Sequence, residues 1–323
     1  MTETDGRLKL TILGGFLGSG KTTWLRHQLH AKTFGRVHVI VNEAAGTPVD
    51  DALLQEADGL TVLAGGCVCC NGRDMLQKTL LRLADERSQM QSHSQRIDQI
   101  VLETSGLADP SAIINLIQDH PILARQIVIT DIIVIVDTHN GIEQLHQEPL
   151  CRAQIETADR LILTKTDISD PTSCDSLRAT LAQMAPAAAQ SAATFGSDAS
   201  LPALSSTAQS VTLNKLSGET TATILPALLM LGQTPDWTAF TVWLSALLHA
   251  RGDQIVRVKG VVQTPAGRLL LQAVRRSAQS PEILPETKKP QANDNTIAII
   301  GRGFTQAEIE TSFRRYVLDA SSS

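Results

Sequence analysis

The hydrophobic positions of the N-terminal two thirds of the chain fall into short apolar runs separated by longer polar or amphipathic stretches. The runs are Leu8–Leu13, Val37–Val41, Leu60–Ala64, Gln99–Leu102, Ile132–Val136 and Leu161–Leu163. Short, mainly apolar runs of this length are typical of parallel strands buried on both faces. An amphipathic helix is predicted over Met75–Arg87, where leucines recur on one face. Strands alternating with helices predict an α/β fold with a mostly parallel sheet.

A glycine-rich segment follows the first strand directly and precedes a helical stretch. It is Gly15-Phe16-Leu17-Gly18-Ser19-Gly20-Lys21-Thr22, and this context is typical of a phosphate-binding loop. Glycines let several backbone N–H groups point at phosphate oxygens, and the helix N-terminus adds partial positive charge. Lys21 is predicted to reach the β- and γ-phosphates, and the Thr22 hydroxyl to coordinate Mg²⁺. The fold is therefore predicted to be a P-loop NTPase, the alternative being a glycine-rich turn with an incidental lysine. The predicted nucleotide contacts here are Gly15, Gly18, Ser19, Gly20, Lys21, Thr22 and Thr23.

Two later strands end in polar tetrads. Glu103-Thr104-Ser105-Gly106 follows the fourth run, and Glu103 is predicted to orient Mg²⁺ or its water while the Gly106 N–H contacts the γ-phosphate. The alternative is an acid at an ordinary turn. Thr164-Lys165-Thr166-Asp167 follows the sixth run, and Asp167 can accept from both the N1–H and the 2-amino group of guanine. Adenine lacks both donors, so a buried carboxylate here favours guanine, although four residues alone can be a coincidence.

Three of the five cysteines are packed into four positions after the third run. Cys67, Cys69 and Cys70 follow Gly65-Gly66, at the sheet edge where the phosphate loop is also expected. Three thiolates suit one soft cation, zinc first, and an open fourth position suits transfer of the metal. A buried turn of small residues and a redox thiol pair are the alternatives. The other two cysteines, Cys151 and Cys174, are isolated and predicted to be packing residues.

The C-terminal third is predicted to be a smaller α+β domain. Ala185–Ala193 is alanine-rich and Ser197–Ser210 is small and polar, which predicts a nucleotide domain at 1–212 and a second domain at 213–323. The second domain is expected to contain a helix at Pro235–Ala250, strands at Ile255–Gln263, Leu269–Val274 and Thr296–Ile300, and a closing helix at Gln306–Val317. The stretch Ser277–Asn295 is rich in proline and charge and is predicted to be a mobile loop.

The bulk properties exclude several classes of protein. The 323 residues are 42% apolar and carry a net charge of −5 without a long basic run, so no nucleic-acid or anionic membrane surface is expected. The longest apolar stretches fall short of the roughly 18 residues that span a bilayer. The polar N-terminus runs directly into the first strand, so no signal sequence is expected and a cytoplasmic location is predicted.

Taken together, the motifs resemble the CobW/YjiA-like family of metallochaperone GTPases. The matching segments are Gly14 to Thr23, Gly66 to Cys70, Glu103 to Pro110, Thr164 to Asp167, and Arg257-Val258-Lys259-Gly260. The resemblance implies a GTPase domain of the SIMIBI class with a CobW-type C-terminal domain. It also implies zinc held by Cys67, Cys69 and Cys70, and transfer of the metal to a client metalloprotein coupled to hydrolysis of GTP to GDP and phosphate. Lys21 and Glu103 are the catalytic candidates, and a homo-oligomer is left open.

The chain departs from the family pattern in two places. It has Asn42-Glu43-Ala44-Ala45-Gly46 where the family usually has Asn-Glu-Phe-Gly-Glu, so Glu43 remains a candidate metal ligand while the second acid is missing. It also has Arg275-Arg276 where many members carry a histidine. Two other hypotheses stay open: a metal sensor or adaptor that uses GTP to choose its partner, and a P-loop kinase acting on a small molecule.

Overall fold

A computed structural model describes residues 6–43, 57–64, 72–90, 96–201, 203–205, 208–213, 224–232, 236–252, 254–265, 267–284 and 294–318. The chain forms two compact units, one spanning Leu8–Thr220 and the other combining Met1–Arg7 with Thr221–Ser323. The predicted boundary between residues 212 and 213 stays a prediction, since residues 214–223 lie outside the described part.

The first unit is built on an eight-stranded sheet. Its strands are β1 Leu8–Gly15, β2 Val37–Glu43, β3 Gly59–Ala64, β4 Gln99–Glu103, β5 Ile127–Asp137, β6 Arg160–Thr164, β7 Ala189–Thr194 and β8 Ser197–Ala199. Their order across the sheet is β3-β2-β4-β1-β5-β6-β7-β8, and only the β7–β8 pair is antiparallel. The predicted α/β fold with a mostly parallel sheet is confirmed.

Among the described residues, helices connect β1 to β2 and every successive pair of strands from β3 to β7, as parallel pairing requires. They are α1 Lys21–His30, α2 Gly72–Gln89, α3 Pro110–Gln118, α4 Pro121–Gln126, α5 Gly141–Gln147, α6 Pro149–Thr157 and α7 Pro171–Met184. Proline at the first position of four of them fits a helix start, because its missing N–H has no partner there anyway. The central strands are buried on both faces, with Leu10, Ile12 and Ile132 fully inaccessible.

The last two strands of this sheet are not among the strands predicted from the sequence. They are Ala189–Thr194 and Ser197–Ala199, in a stretch for which the composition had predicted only that the nucleotide domain ends nearby. Alanine and serine have low intrinsic strand propensity, but pairing with β6 in register, Thr164 against Ala193, supplies the hydrogen bonds and the burial. Ala193 is fully buried against the core cluster of α1.

The second unit is an antiparallel sheet with helices. It contains β9 Leu225–Met230, α8 Trp237–Arg251, β10 Ile255–Thr264, β11 Gly267–Val274, β12 Ser277–Ala278, β13 Glu282–Leu284, β14 Thr296–Gly301 and α9 Gln306–Phe313, followed by one π-helical turn, Arg314–Leu318. The strand order is β12-β11-β10-β14-β9, with β13 on β11. The aromatic side chains of α8 pack in the core of this unit, Phe240 against Trp243 and Trp243 against Phe313.

Three strands of this unit lie outside the sequence prediction. β9 is not among the predicted strands, and β12 and β13 occupy the first part of the segment predicted to be a mobile loop. Both short strands are held by antiparallel pairing to β11, which sequence periodicity over two or three residues does not reveal. Residues 285–293 lie outside the described part.

Candidate nucleotide-binding site

The loop between β1 and α1 is shaped by a glycine at its first position. Gly15 has a φ of 138°, and a Cβ there would lie 2.5 Å from the Ile135 carbonyl oxygen and 2.8 Å from the Ser19 Oγ. No larger residue fits, because the carbonyl belongs to the backbone of the neighbouring strand β5. Gly18 and Gly20 also have positive φ, 74° and 94°. The backbone therefore has the left-handed conformations that turn N–H groups inward in a phosphate-binding loop.

Lys21, the first residue of α1, points back across this loop. Its ammonium donates to the carbonyl oxygens of Gly15 at 2.9 Å and of Phe16 at 3.2 Å. It also lines a cavity of about 460 Å³. The other lining residues are Leu17, Gly18, Gly20, Thr22, Thr23, Glu103, Thr104, Ser105, Gly106 and Leu107. A lysine at the start of a helix and at the mouth of such a cavity is well positioned to bind the β- and γ-phosphates of a nucleotide.

Thr22 and Glu103 meet inside this cavity. The Thr22 hydroxyl donates to Glu103 Oε1 at 2.5 Å, and Glu103 is only 2% exposed. The two residues come together because β4 pairs with β1 in parallel, which puts Glu103 opposite Leu13 at the end of the strand. A hydroxyl and a carboxylate oxygen are the hard ligands that Mg²⁺ prefers, so these residues fit the predicted magnesium site.

The segment after Glu103 is hydrogen-bonded to β1 and packs against the phosphate loop. Thr104 donates to the Leu13 carbonyl oxygen through its backbone N–H at 2.9 Å and through its hydroxyl at 3.1 Å. Gly106 lies against Leu17, since a Cβ on Gly106 would be 2.7 Å from the Leu17 nitrogen. The predicted contact residue Gly106 therefore does line the cavity, and it does so in contact with the phosphate loop.

Gln154 is a functional candidate that the sequence analysis missed. It lies in α6, is fully buried, and donates from Nε2 to the carbonyl oxygens of Gly106 at 3.2 Å and Ala108 at 2.8 Å. Both contacts are acceptors, which fixes the orientation of the side-chain amide. Its Oε1 is buried without a hydrogen-bond partner among the described residues. Gln154 shares the buried face of α6 with Cys151 and Ile155. This helical spacing could have identified Gln154 from the sequence, because a polar residue on the buried face of a helix requires a hydrogen-bond partner.

The tetrad at 164–167 is joined to the phosphate loop through its first residue. The Thr164 hydroxyl donates to the Ser19 carbonyl oxygen at 2.7 Å. Lys165 has a φ of 58°, and its ammonium donates to Asp137 Oδ2 at 2.6 Å. Burial alone would raise the pKa of Asp137, but hydrogen bonds from Lys165, the Asn140 side chain and the His139 backbone outweigh it and hold the pKa below its ordinary value.

The exposure of Asp167 differs from the prediction. Its carboxylate is exposed, whereas the discrimination between guanine and adenine was argued for a buried one. The physical reason is its position in the turn between β6 and α7, since connecting turns run over the surface of α/β domains. The assignment of Asp167 to the guanine base stays a prediction.

The predicted zinc ligands Cys67, Cys69 and Cys70 lie outside the described residues, as does the side chain of Glu43. Within the described part, no group of three His, Cys, Asp or Glu side chains is arranged to hold a metal ion. The other two cysteines are free thiols. Burial raises the pKa of Cys151 to about 12 and raises that of Cys174 as well, so both are protonated at neutral pH, as expected of packing residues.

The parallel sheet, the glycine-shaped loop and the Lys21–Thr22–Glu103 arrangement define a P-loop nucleotide-binding protein. Comparison with known families is more specific. Residues 9–191 match the model of the CobW/HypB/UreG nucleotide-binding domain, and residues 229–317 match the cobalamin synthesis protein CobW C-terminal domain. The chain belongs to the CobW/HypB/UreG family of P-loop GTPases, as the resemblance had indicated.

Curated relatives carry metal-related names. The chain is 36% identical to the zinc chaperone YjiA of Escherichia coli over 163 residues, which is 50% of each chain. It is 30% identical to the zinc chaperone CobW of Pseudomonas aeruginosa over 234 residues, covering 62% of this chain and 60% of the relative. A third relative is the zinc-regulated GTPase metalloprotein activator 1 of Schizosaccharomyces pombe. It is 31% identical over 180 residues, which cover 53% of this chain and 42% of the relative. The matches thus span about half the length of these relatives.

A solved structure supports the fold over nearly the whole chain. The crystal structure of Zn(II)-bound YjiA GTPase from E. coli aligns with a TM-score of 0.60 and 24% identity, covering 96% of this chain and 99% of that one. At this identity the likeness establishes the architecture alone. None of the described helices is long and apolar enough to cross a membrane.

Proposed function

We propose that this protein is a GTP-hydrolysing metallochaperone that binds zinc through Cys67, Cys69 and Cys70 and delivers it to a client metalloprotein in the cytoplasm. The observation that carries the proposal is the contact between the Thr22 hydroxyl and the buried Glu103 carboxylate, in a cavity that Lys21 also lines. It occurs in a chain whose family contains proteins named zinc chaperones.

The hydrolytic part of the proposal follows from the chemistry of these side chains. Lys21 binds the β- and γ-phosphates and stabilises the negative charge that develops on the transferred phosphoryl group. Thr22 and Glu103 would hold Mg²⁺, which would draw negative charge from the phosphates. The backbone of Gly106 borders the position of the γ-phosphate, and water is the acceptor. The carboxylate of Asp167 accepts from the N1–H and the 2-amino group of the guanine base, two donors that adenine lacks.

The metal-binding part rests on adjacency in the sheet. β2 and β3 are neighbouring parallel strands that end together, with Glu43 opposite Ala64. In the sequence the three cysteines follow Ala64, the last residue of β3, within six residues, and we infer from this spacing that they belong to the sheet edge at which β2 ends with Glu43. The phosphate loop leaves β1 at this edge too, with β2 and β4 between β1 and β3, so a change at the nucleotide would reach the metal site across the ends of these two strands.

The experiment that tests this function measures zinc and nucleotide binding on the same variants. Cys69→Ala should weaken zinc binding at least about tenfold, because a thiolate ligand is lost, and leave GDP affinity unchanged. The matched control is Cys174→Ala, which removes a thiol from a surface helix and should change neither affinity. Loss of both affinities in Cys69→Ala would contradict separate zinc and nucleotide sites.

A second measurement identifies the acceptor of the phosphoryl group. The protein with GTP and Mg²⁺ should release inorganic phosphate in an amount equal to the GDP formed. Transfer of the γ-phosphate to an added small-molecule acceptor would instead support the kinase hypothesis and overturn the proposed function.

A further inference from the structure

The hairpin turn between β7 and β8 presents an aromatic ring to solvent in a strained backbone conformation. Phe195 is 83% exposed, more than any other large hydrophobic side chain in the described part of the chain. Its φ is 50°, in the left-handed region that favours glycine and is unfavourable for a bulky residue. An exposed aromatic ring gains nothing from burial, so neither the strain nor the exposure serves the stability of the fold.

The turn that carries Phe195 is held firmly in place. Gly196 packs on α1 so closely that a Cβ would lie 2.6 Å from the His27 Cβ and 2.8 Å from the Thr23 carbonyl oxygen. Gln28 donates to the Gly196 carbonyl oxygen at 3.3 Å, and Ser197 Oγ lies 2.9 Å from His27 Nε2. The turn is therefore attached to the helix that begins with Lys21.

The location of the turn indicates what the ring contacts. β6 and β7 are adjacent parallel strands, with Thr164 opposite Ala193, so the residues after both strands emerge at the same sheet edge. Lys165 directly follows the last residue of β6, and Phe195 directly follows the last residue of β7. Both have left-handed φ values, 58° and 50°. The exposed ring of Phe195 therefore follows the strand next to the one that ends in the tetrad 164–167, which is predicted to bind the guanine base.

We propose that Phe195 is a stacking platform for the base of the bound guanine nucleotide, beside the polar recognition by Asp167. The inference deepens the proposed function and rests on it. A planar base offers an apolar face and a polar edge, and an aromatic side chain fixed on a braced turn binds the face without an entropic cost for ordering the loop. Stacking contributes affinity for the base alone, whereas the phosphates are bound at the other end of the nucleotide.

The test compares binding and turnover in three variants at position 195. Phe195→Ala should raise the Kd for GDP and for a non-hydrolysable GTP analogue by the same factor, about fivefold to a hundredfold, while kcat at saturating GTP stays unchanged. Phe195→Trp should restore wild-type affinity, because it keeps the aromatic face. The matched control is Ile122→Ala, which removes an exposed apolar side chain of 52% exposure from α4 and should leave both constants unchanged.

A further variant separates binding from folding. Asparagine tolerates left-handed φ, so without nucleotide the Phe195→Asn variant should have a Tm equal to or above that of the wild-type protein. Added GDP should raise the Tm of this variant by less than it raises the Tm of the wild-type protein. If Phe195→Ala binds GDP with wild-type affinity, the stacking proposal is wrong and the proposed GTPase stands. If the wild-type protein binds no guanine nucleotide at all, the proposed function fails with it.

Discussion

The two ends of the candidate nucleotide site are built differently. At the phosphate end the side chains of Glu103, at 2% exposure, and Gln154 are buried, and each is held by hydrogen bonds, Glu103 to Thr22 and Gln154 to the backbone of 106–108. At the base end, Asp167 and Phe195 are exposed on turns after β6 and β7. Phosphoryl transfer depends on groups fixed before the reaction begins, whereas base recognition needs a surface that the base can reach. We therefore expect changes at the phosphate end to alter kcat and changes at the base end to alter affinity.

The largest effect is expected from Lys21→Ala at the phosphate end. The variant loses the cation that stabilises the charge on the transferred phosphoryl group, so kcat for GTP hydrolysis should fall by about a hundredfold or more. Phosphate release at saturating GTP measures it. The control is Lys9→Ala, a lysine of β1 away from the cavity. Activity within twofold of wild type in Lys21→Ala would contradict the role given to this ammonium.

A somewhat smaller effect is expected from Glu103→Gln. The substitution keeps the size of the side chain but removes the charge that would hold Mg²⁺ with Thr22, so the Mg²⁺ concentration for half-maximal activity should rise about tenfold or more. A magnesium titration of phosphate release gives this value. Glu86→Gln, at an exposed residue of α2 paired with Arg82, is the control and should leave the titration unchanged.

Gln154→Met tests whether α6 positions the segment 104–108. Methionine fills similar volume but cannot donate to the Gly106 and Ala108 carbonyl oxygens, so kcat should fall about tenfold while the Kd for GDP, which has no γ-phosphate, changes little. Thr157→Val removes a buried hydroxyl from the same helix and is the control for loss of stability. An equal loss of GDP affinity in Gln154→Met would mean that the glutamine only supports the fold.

The smallest effect is expected from Asp137→Asn, which weakens the anchor of Lys165. The free energy of unfolding should fall by about 1 to 3 kcal/mol at pH 7, because a charge-assisted hydrogen bond to a buried carboxylate is lost. The folded-state pKa of Asp137 lies below its ordinary value, so its contribution is present above that value and is lost as the pH falls through the folded-state pKa. Denaturant unfolding at several pH values should show the difference between the two proteins shrinking below about pH 4. A difference that grows in acid would contradict the lowered pKa.

The sequence predicted the sheet of the phosphate end well because its strands contain short, mainly apolar runs, which begin and end within a few residues of the observed β1, β2 and β4. Strands β7 and β8 were missed, since alanine and serine carry little strand propensity and the pairing with β6 decides their structure. The same distinction applies to the site. Lys21 and Glu103 belong to motifs with a fixed spacing, but Gln154 and Phe195 lie in no motif and acquire their positions through tertiary packing.

The measurement that most directly tests the central claim is a competition titration of Zn²⁺ against the protein in three states: without nucleotide, with GDP and with a non-hydrolysable GTP analogue. A metallochaperone driven by GTP must bind zinc with different affinity in the GDP and GTP-analogue states, since a ligand that binds two states equally shifts neither. We predict a difference of at least about fivefold between these states, and the same titration on Cys69→Ala should lose it. Equal zinc affinity in all three states would contradict the account and favour an adaptor that uses GTP only to choose its partner.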